Sequence, residues 1–380
     1  MNFELTKEQA LLKKAAQQFA ENTLEPTAAE LDETHVFPVE NFKQMARYGF
    51  TGIGVPKEYG GVGGGMTEEV IAVSEFAKKC MASAATLSIH LIAPQAIAKY
   101  GTEAQKQKYL PRLTKGGELG AFALTEPGAG SDVQGAQTVA VEDGDDYIIT
   151  GSKVFTTNSG FADTCVVFAL TDRSVPAAKG MTAFIVDLKE MPGITVSENI
   201  QRMGIRAASN CIVTYDKVRV PKDRVLGKVG SGFKIAMKAL DAGRIGIAAQ
   251  AVGIAQGALN EAIKYGKERK QQDRYVGRLA QFFQAAALTH KAGILTDQAK
   301  DQADDQQQIS GVGDVPPRHV AVDGKDGPVF VLVIGGLEET VAFYIQYVIH
   351  KDPLFAVFPV HMDDHFALVG RGTGGTGIAG

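Results

Sequence analysis

The sequence predicts an α+β protein in three parts: a helical domain over residues 1–118, an antiparallel β-domain over 119–229 and a helical domain over 230–380. Three observations carry this. Apolar residues recur at helical spacing up to about Ala93. From Leu119 the texture changes to short β-branched runs separated by Asp and Gly turns, as in Glu142-Asp143-Gly144. A long apolar helix then starts at Ser231 or Gly232 and runs to about Arg269.

In the first part, Thr6 and Gln9 form a capping box, followed by Leu12, Ala16 and Phe19 on one face. Pro26 is expected to interrupt that helix. Pro38 opens a second helix with Phe42, Met45 and Ala46 inward. The glycines from Gly60 to Gly65 read as a loop. Thr67 begins a helix expected to run unbroken to about Ala93, before Pro94, and Glu103 to Leu113 gives a shorter one. In the second part the strands are Thr138–Val141, Tyr147–Thr150, Thr164–Leu170, Thr182–Val186 and Cys211–Val220. Beyond Gln271, Val276 to Gln298 reads as one amphipathic helix, and no clean helical period follows for the further helices a bundle needs. Asp301 to Gln308 is a polar run, Val329 to Ile334 reads as a strand and Val341 to Val348 is aromatic-rich.

The chain has 380 residues, 45% hydrophobic and 22% charged, with a net charge of -4. That composition suits a protein with a sizeable core. The charge gives no reason to expect nucleic acid or an anionic membrane as partner. Three scattered cysteines, Cys80, Cys165 and Cys211, suggest reduced thiols in the cytoplasm. The polar, acidic start MNFELTKEQA does not read as a signal peptide, and no apolar run reaches a membrane-spanning length.

Two hydroxyl- and glycine-rich stretches stand out: Phe122 to Asp132 (FALTEPGAGSD) and Gly151 to Gly160 (GSKVFTTNSG). By themselves they read as β-turns. A flat, heteroatom-rich cofactor, however, is held by an aromatic ring and a few fixed hydrogen bonds, and both stretches offer these. As strings they resemble the acyl-CoA dehydrogenase family, of the short-chain, butyryl type. The resemblance extends to PKEYGGVG at Pro56, YGTEAQKQKYLPRL at Tyr100, MGIRAAS at Met203, VRVPKDRVLGKVGSGF at Val218 and LDAGRIGIA at Leu240. It covers residues 1 to about 269 and stops there.

The resemblance implies a helical domain, a β-domain and a C-terminal helical bundle, assembled as a homotetramer. It implies FAD as cofactor, a short-chain acyl-CoA as substrate and an electron-transferring flavoprotein as partner. Phe122, Leu124 and Thr125 would contact the isoalloxazine from one side, and Phe155, Thr156 and Thr157 from the other. Ser131 would reach the pantetheine arm, Asp241 and Arg244 would line the acyl-CoA channel, and Arg269 would bind the FAD pyrophosphate. The reaction needs a carboxylate base. The family's usual base motif is missing, and its alternative position on the long helix is Gly243. Asp363 and Asp364 stand near a plausible distance from the C-terminus, in an unmatched context (HMDDHFALV). The competing readings are an enoyl-CoA reductase on the same scaffold and a non-catalytic binding protein.

Two further patterns in the tail carry less. Gly370 to Gly375 (GRGTGG) fits a dinucleotide fingerprint but leaves no room for the helix that must follow. His361 and His365 are i,i+4, a spacing that ligates a metal only on a helix; a solvated polar segment accounts for them.

Overall fold

The computed structural model describes residues 4–115 and 117–269, and five strands between 318 and 371 by their backbone. It divides into two units, Met1–Leu288 and Thr289–Gly380.

The first unit begins with six helices: α1 (Lys7–Phe19), α2 (Glu25–Thr34), α3 (Val39–Arg47), α4 (Met66–Ala77), α5 (Met81–Tyr100) and α6 (Glu103–Thr114). The capping box of α1 is present: Gln9 N–H donates to Thr6 Oγ1 and Thr6 N–H to Gln9 Oε1. Pro26 does not end the helix as expected. A π-turn over Ala20–Leu24 widens the chain, and Pro26 then falls in the first turn of α2, where no N–H is needed. The helix expected from Thr67 to Ala93 is two helices. Cys80 turns extended between them, and α5 then runs through Pro94 to Tyr100. By length and composition α5 could cross a membrane, but most of it is buried inside the fold. Phe19, Met45, Phe50, Phe76, Leu87 and Leu91 knit these helices into one core.

An eight-stranded sheet follows: β1 (Gly120–Ala123), β2 (Val139–Asp143), β3 (Asp146–Thr157), β4 (Thr164–Leu170), β5 (Met181–Asp187), β6 (Ile194–Val196), β7 (Asn210–Pro221) and β8 (Val225–Leu226), with a short helix, α7 (Ala177–Gly180), before β5. The order is β6-β7-β3-β2-β4-β5-β8. It is not purely antiparallel as the sequence suggested. β1, too short to read from pattern, pairs parallel with β4, Phe122 opposite Val166. β4 and β5 are buried on every residue, whereas β7 alternates buried and exposed.

The long helix is α8 (Gly232–Glu268). Its start docks on β5 through Gly232, where a Cβ would lie 2.6 Å from the Thr182 carbonyl carbon. Gly253 and Gly257 then let it approach α4 and the turn after it: Cβ atoms there would lie 2.5 Å from the Ser74 oxygen and 2.3 Å from the Lys78 oxygen.

In the second unit, β9 (Arg318–Ala321), β10 (Phe330–Leu337), β11 (Thr340–Ile349), β12 (Asp352–His361) and β13 (Val369–Arg371) form an antiparallel sheet in the order β13-β12-β11-β10-β9. The helical bundle expected over 230–380 is thus represented, among the described residues, by α8 alone. Segments such as TVAFYIQYVI are rich in β-branched and aromatic residues, which favour strands.

Candidate active site

The two marked stretches meet. β1 leads into the first loop and β3 carries the second, and Val154 N–H donates to the Thr125 carbonyl at 2.9 Å. Beside this bond the Lys153 ammonium, fully buried, donates to the Leu124 carbonyl at 3.0 Å and to Glu126 Oε1 at 2.6 Å. The Glu126 carboxylate also accepts the backbone N–H of Gln137 at 2.5 Å and of Thr138 at 3.1 Å. Burial pushes the Glu126 carboxyl up, but Lys153 and these amides outweigh it and hold it below the usual range. Burial lowers the Lys153 ammonium against the pull of Glu126. A buried charge is stable only with such compensation.

The end of β3 is bulged. Register shifts between Lys153 and Thr156, and Phe155 takes φ 53° and is 62% exposed. A left-handed aromatic residue on the surface is costly, and such strain gathers at functional sites. Asn158, also left-handed at φ 72°, is buried. Its amide donates to the carbonyls of Thr86 at 3.0 Å and Gly120 at 3.2 Å, tying β3 to α5 and β1. Its N–H donates to the Ser209 carbonyl, and Ser209 Oγ accepts the Gly160 N–H. The MGIRAAS segment is thereby joined to the same site. Arg206 in that segment pairs with Asp32 of α2, Nε to Oδ2 at 2.9 Å.

The hydroxyls of Thr125, Ser131 and Thr157 have no hydrogen-bond partner among the described residues, and the Thr156 hydroxyl is buried without one. Phe122 is half-buried, edge-tilted on Phe168 at 4.9 Å. Leu124 is buried in the core, so only its backbone faces the loop. Free hydroxyls, an exposed ring and a rigid ion-paired floor suit a planar cofactor with hydrogen-bonding edges.

The substrate-side residues lie on α8. Arg244 Nη1 is 3.1 Å from Asp241 Oδ1 and Lys238 is 3.4 Å from Oδ2, all exposed. Between them, Ala242 and Gly243 line a cavity of about 110 Å³ with Ile92, Gln95 and Ala96 of α5 and Glu69 of α4. The structure does not bring Arg269 to the loops. It ends α8 and donates to the Tyr265 hydroxyl at 2.9 Å. Asp363, Asp364 and His365 lie outside the described residues, as does the end of the GRGTGG stretch. His361 ends a strand, not a helix. Among the described residues no three His, Cys, Asp or Glu side chains cluster to hold a metal.

Sequence reasoning passed over Lys153, Glu126, Asn158 and Glu69. The signal for Lys153 was present: a lysine at an inward position of a strand, three residues before the hydroxyl pair.

Three family models match the chain: acyl-CoA dehydrogenase N-terminal domain over 6–117, middle domain over 121–218 and C-terminal domain over 230–310. The chain belongs to the acyl-CoA dehydrogenase family. The C-terminal match carries the resemblance past Arg269. An acryloyl-CoA reductase (NADH) of Anaerotignum propionicum is 56% identical over 281 residues, 73% of this chain and 71% of that one. A short-chain specific acyl-CoA dehydrogenase of Clostridium acetobutylicum is 51% identical over 275 residues, 72% of each. The butyryl-CoA dehydrogenase structure from Megasphaera elsdenii superposes with a TM-score of 0.73 at 38% identity, covering 81% of this chain and 82% of that one.

Proposed function

We propose that the protein is an FAD-dependent dehydrogenase of short-chain acyl-CoA thioesters that hands its electrons to an electron-transferring flavoprotein. The observation that carries this is the Thr125 to Val154 junction. It joins the two stretches beside the buried Lys153–Glu126 pair, and their hydroxyls without partners among the described residues and their exposed, strained Phe155 support the reading.

FAD, when bound, supplies the hydride acceptor. Thr125, Thr156 and Thr157 would hold the edges of its ring system, Phe122 and Phe155 its faces, and Ser131 the pantetheine arm of the substrate. Oriented donors around a thioester carbonyl make its α-proton more acidic. Asp241 and Arg244 would hold the acyl-CoA at the mouth of the cavity beside Gly243, whose lack of a side chain leaves room for the chain. Arg269 stands twenty residues beyond Ala249, about 30 Å along a helix rising 1.5 Å per residue. We therefore assign its pyrophosphate contact to a second copy within a homotetramer. Exposed Ile245, Ile247, Val252 and Ile254 on α8 support such an assembly. The three cysteines, all buried and unpaired, support a cytoplasmic location.

The reverse reaction, enoyl-CoA reduction, is the second reading, favoured by the identity to the acryloyl-CoA reductase. Assay of the purified, flavin-loaded protein with its flavoprotein partner, using butyryl-CoA in one direction and crotonyl-CoA in the other, separates them. Turnover in neither direction would leave a binding protein.

A further inference from the structure

Three glutamates are almost wholly buried in the first unit: Glu69, Glu75 and Glu126. Two have a lysine. Lys78 lies 2.7 Å from Glu75, and Lys153 2.6 Å from Glu126. Glu69, 3% exposed on α4, has none. Its Oε2 accepts the Gln95 amide at 2.8 Å, and Oε1 has no hydrogen-bond partner among the described residues. Burying a carboxyl without a countercharge is costly, so a retained one signals a use.

Glu69 lines the cavity that also holds Gly243. The helix α8 passes close to this oxygen at Gly246, one turn beyond Gly243, where a Cβ would come within 3.3 Å of Oε1 and would also meet Ser88 Oγ at 2.7 Å. Ile92, Ala96, Ala239 and Ala242 give it apolar walls, and Tyr100 also lines it. Lys99 and Lys238 stand at the exposed rim, and Lys238 is taken by Asp241. The cavity thus has largely apolar walls and, beside the Gln95 amide, a carboxylate oxygen without a hydrogen-bond partner among the described residues. Its volume of about 110 Å³ is several times what one ordered water needs.

We infer that Glu69 selects short acyl-CoA thioesters whose tail ends in a hydrogen-bond donor, such as a hydroxyl. This rests on the reading of the cavity as the acyl site. A plain alkyl tail of the same length would leave Oε1 unpaired, and a carboxylate-ended tail would meet a second acid. Burial raises the Glu69 carboxyl above its ordinary range, which disfavours a bare anion there and suits a neutral partner.

The test is calorimetric binding of butyryl-CoA and γ-hydroxybutyryl-CoA to the full-length, flavin-loaded protein, to Glu69→Met and to Glu69→Gln. The wild type should prefer the hydroxylated ligand about tenfold, the worth of one well-made buried hydrogen bond. Glu69→Gln should keep that preference, and Glu69→Met should lose or reverse it. A wild type that binds both equally, or prefers butyryl-CoA, overturns the inference while leaving the acyl-CoA site standing. So does a preference unchanged in Glu69→Met. Binding of neither ligand overturns both. Should Glu69→Met fail to fold, the wild-type ratio decides alone.

Discussion

Lys153 Nζ lies 2.6 Å from Glu126 Oε1, with both side chains shut away from water. This contact joins the end of β3 to the loop after β1, and the same ammonium holds the Leu124 carbonyl. The spacing between the two hydroxyl-bearing stretches is therefore held by this buried ion pair together with the Val154 to Thr125 backbone bond.

Lys153→Met should destabilise the protein by about 3–5 kcal/mol, because it strands a buried carboxylate. Chemical denaturation measures this. Adding Glu126→Leu to that variant should recover part of the loss, since two apolar groups no longer oppose burial. Flavin content should stay low in both, as neither restores the loop spacing.

His90 makes a pH prediction. It is fully buried, and its Nδ1 accepts the Gly120 N–H at 2.9 Å where β1 begins. Burial lowers its pKa from 6.5 to about 4. Above the unfolded value the ring is neutral in both states and costs nothing. As pH falls from about 6.5 to about 4 the unfolded state takes up the proton first. Stability then declines by about 3 kcal/mol in all at 1.36 kcal/mol per unit, and levels off below. His90→Asn, whose Oδ1 can still accept from Gly120, should flatten that part of the stability–pH curve relative to the wild type.

Glycines on α8 should respond by position, not by helix propensity. Alanine favours a helix by up to about 1 kcal/mol over glycine. Gly243→Ala, with Ile92 Cδ1 at 3.7 Å as its nearest neighbour, should raise the melting temperature slightly. Gly253→Ala and Gly257→Ala would drive a methyl into the Ser74 and Lys78 carbonyls, and overpacking costs about 1–3 kcal/mol. Thermal melts of the three variants should rank in that order.

Much of this architecture is readable from residues. The capping box at Thr6, the inward face of Phe42, Met45 and Ala46, the strands β4 and β5, and the span of α8 all follow local rules that tertiary contacts reinforce. Where the reading fails, a distant contact overrides a local one. Pro94 stays buried inside α5, its i−4 carbonyl on His90 lying against Gly120, whose Cβ would be 3.0 Å away. β1 has four residues and exists only because β4 lies beside it. In the site, the loops carried their own signature, but the clamp between them did not. Glu126 and Lys153 are 27 residues apart, and no periodicity reports a pairing that distant. Glu69 was hidden for a different reason: on α4 it looks like one more acid in an N-terminal turn.

Phe155 should matter to the cofactor and not to the fold. The residue is 62% exposed, so Phe155→Ala removes little buried surface. The apoprotein's melting temperature should be unchanged, while the flavin dissociation constant should rise about tenfold, the upper end of an aromatic stacking contribution. Fluorescence titration with FAD reads this directly.

The central claim is that Thr125 and Thr157 flank one flavin-sized slot open to a short acyl thioester. An absorption spectrum of the purified protein, taken before and after anaerobic addition of butyryl-CoA, tests it most directly. The account predicts an oxidised flavin spectrum that bleaches on addition, and a weaker or absent flavin band in a Thr125→Val/Thr157→Val double variant that still folds. A well-folded wild-type protein that stays colourless after incubation with FAD would contradict it.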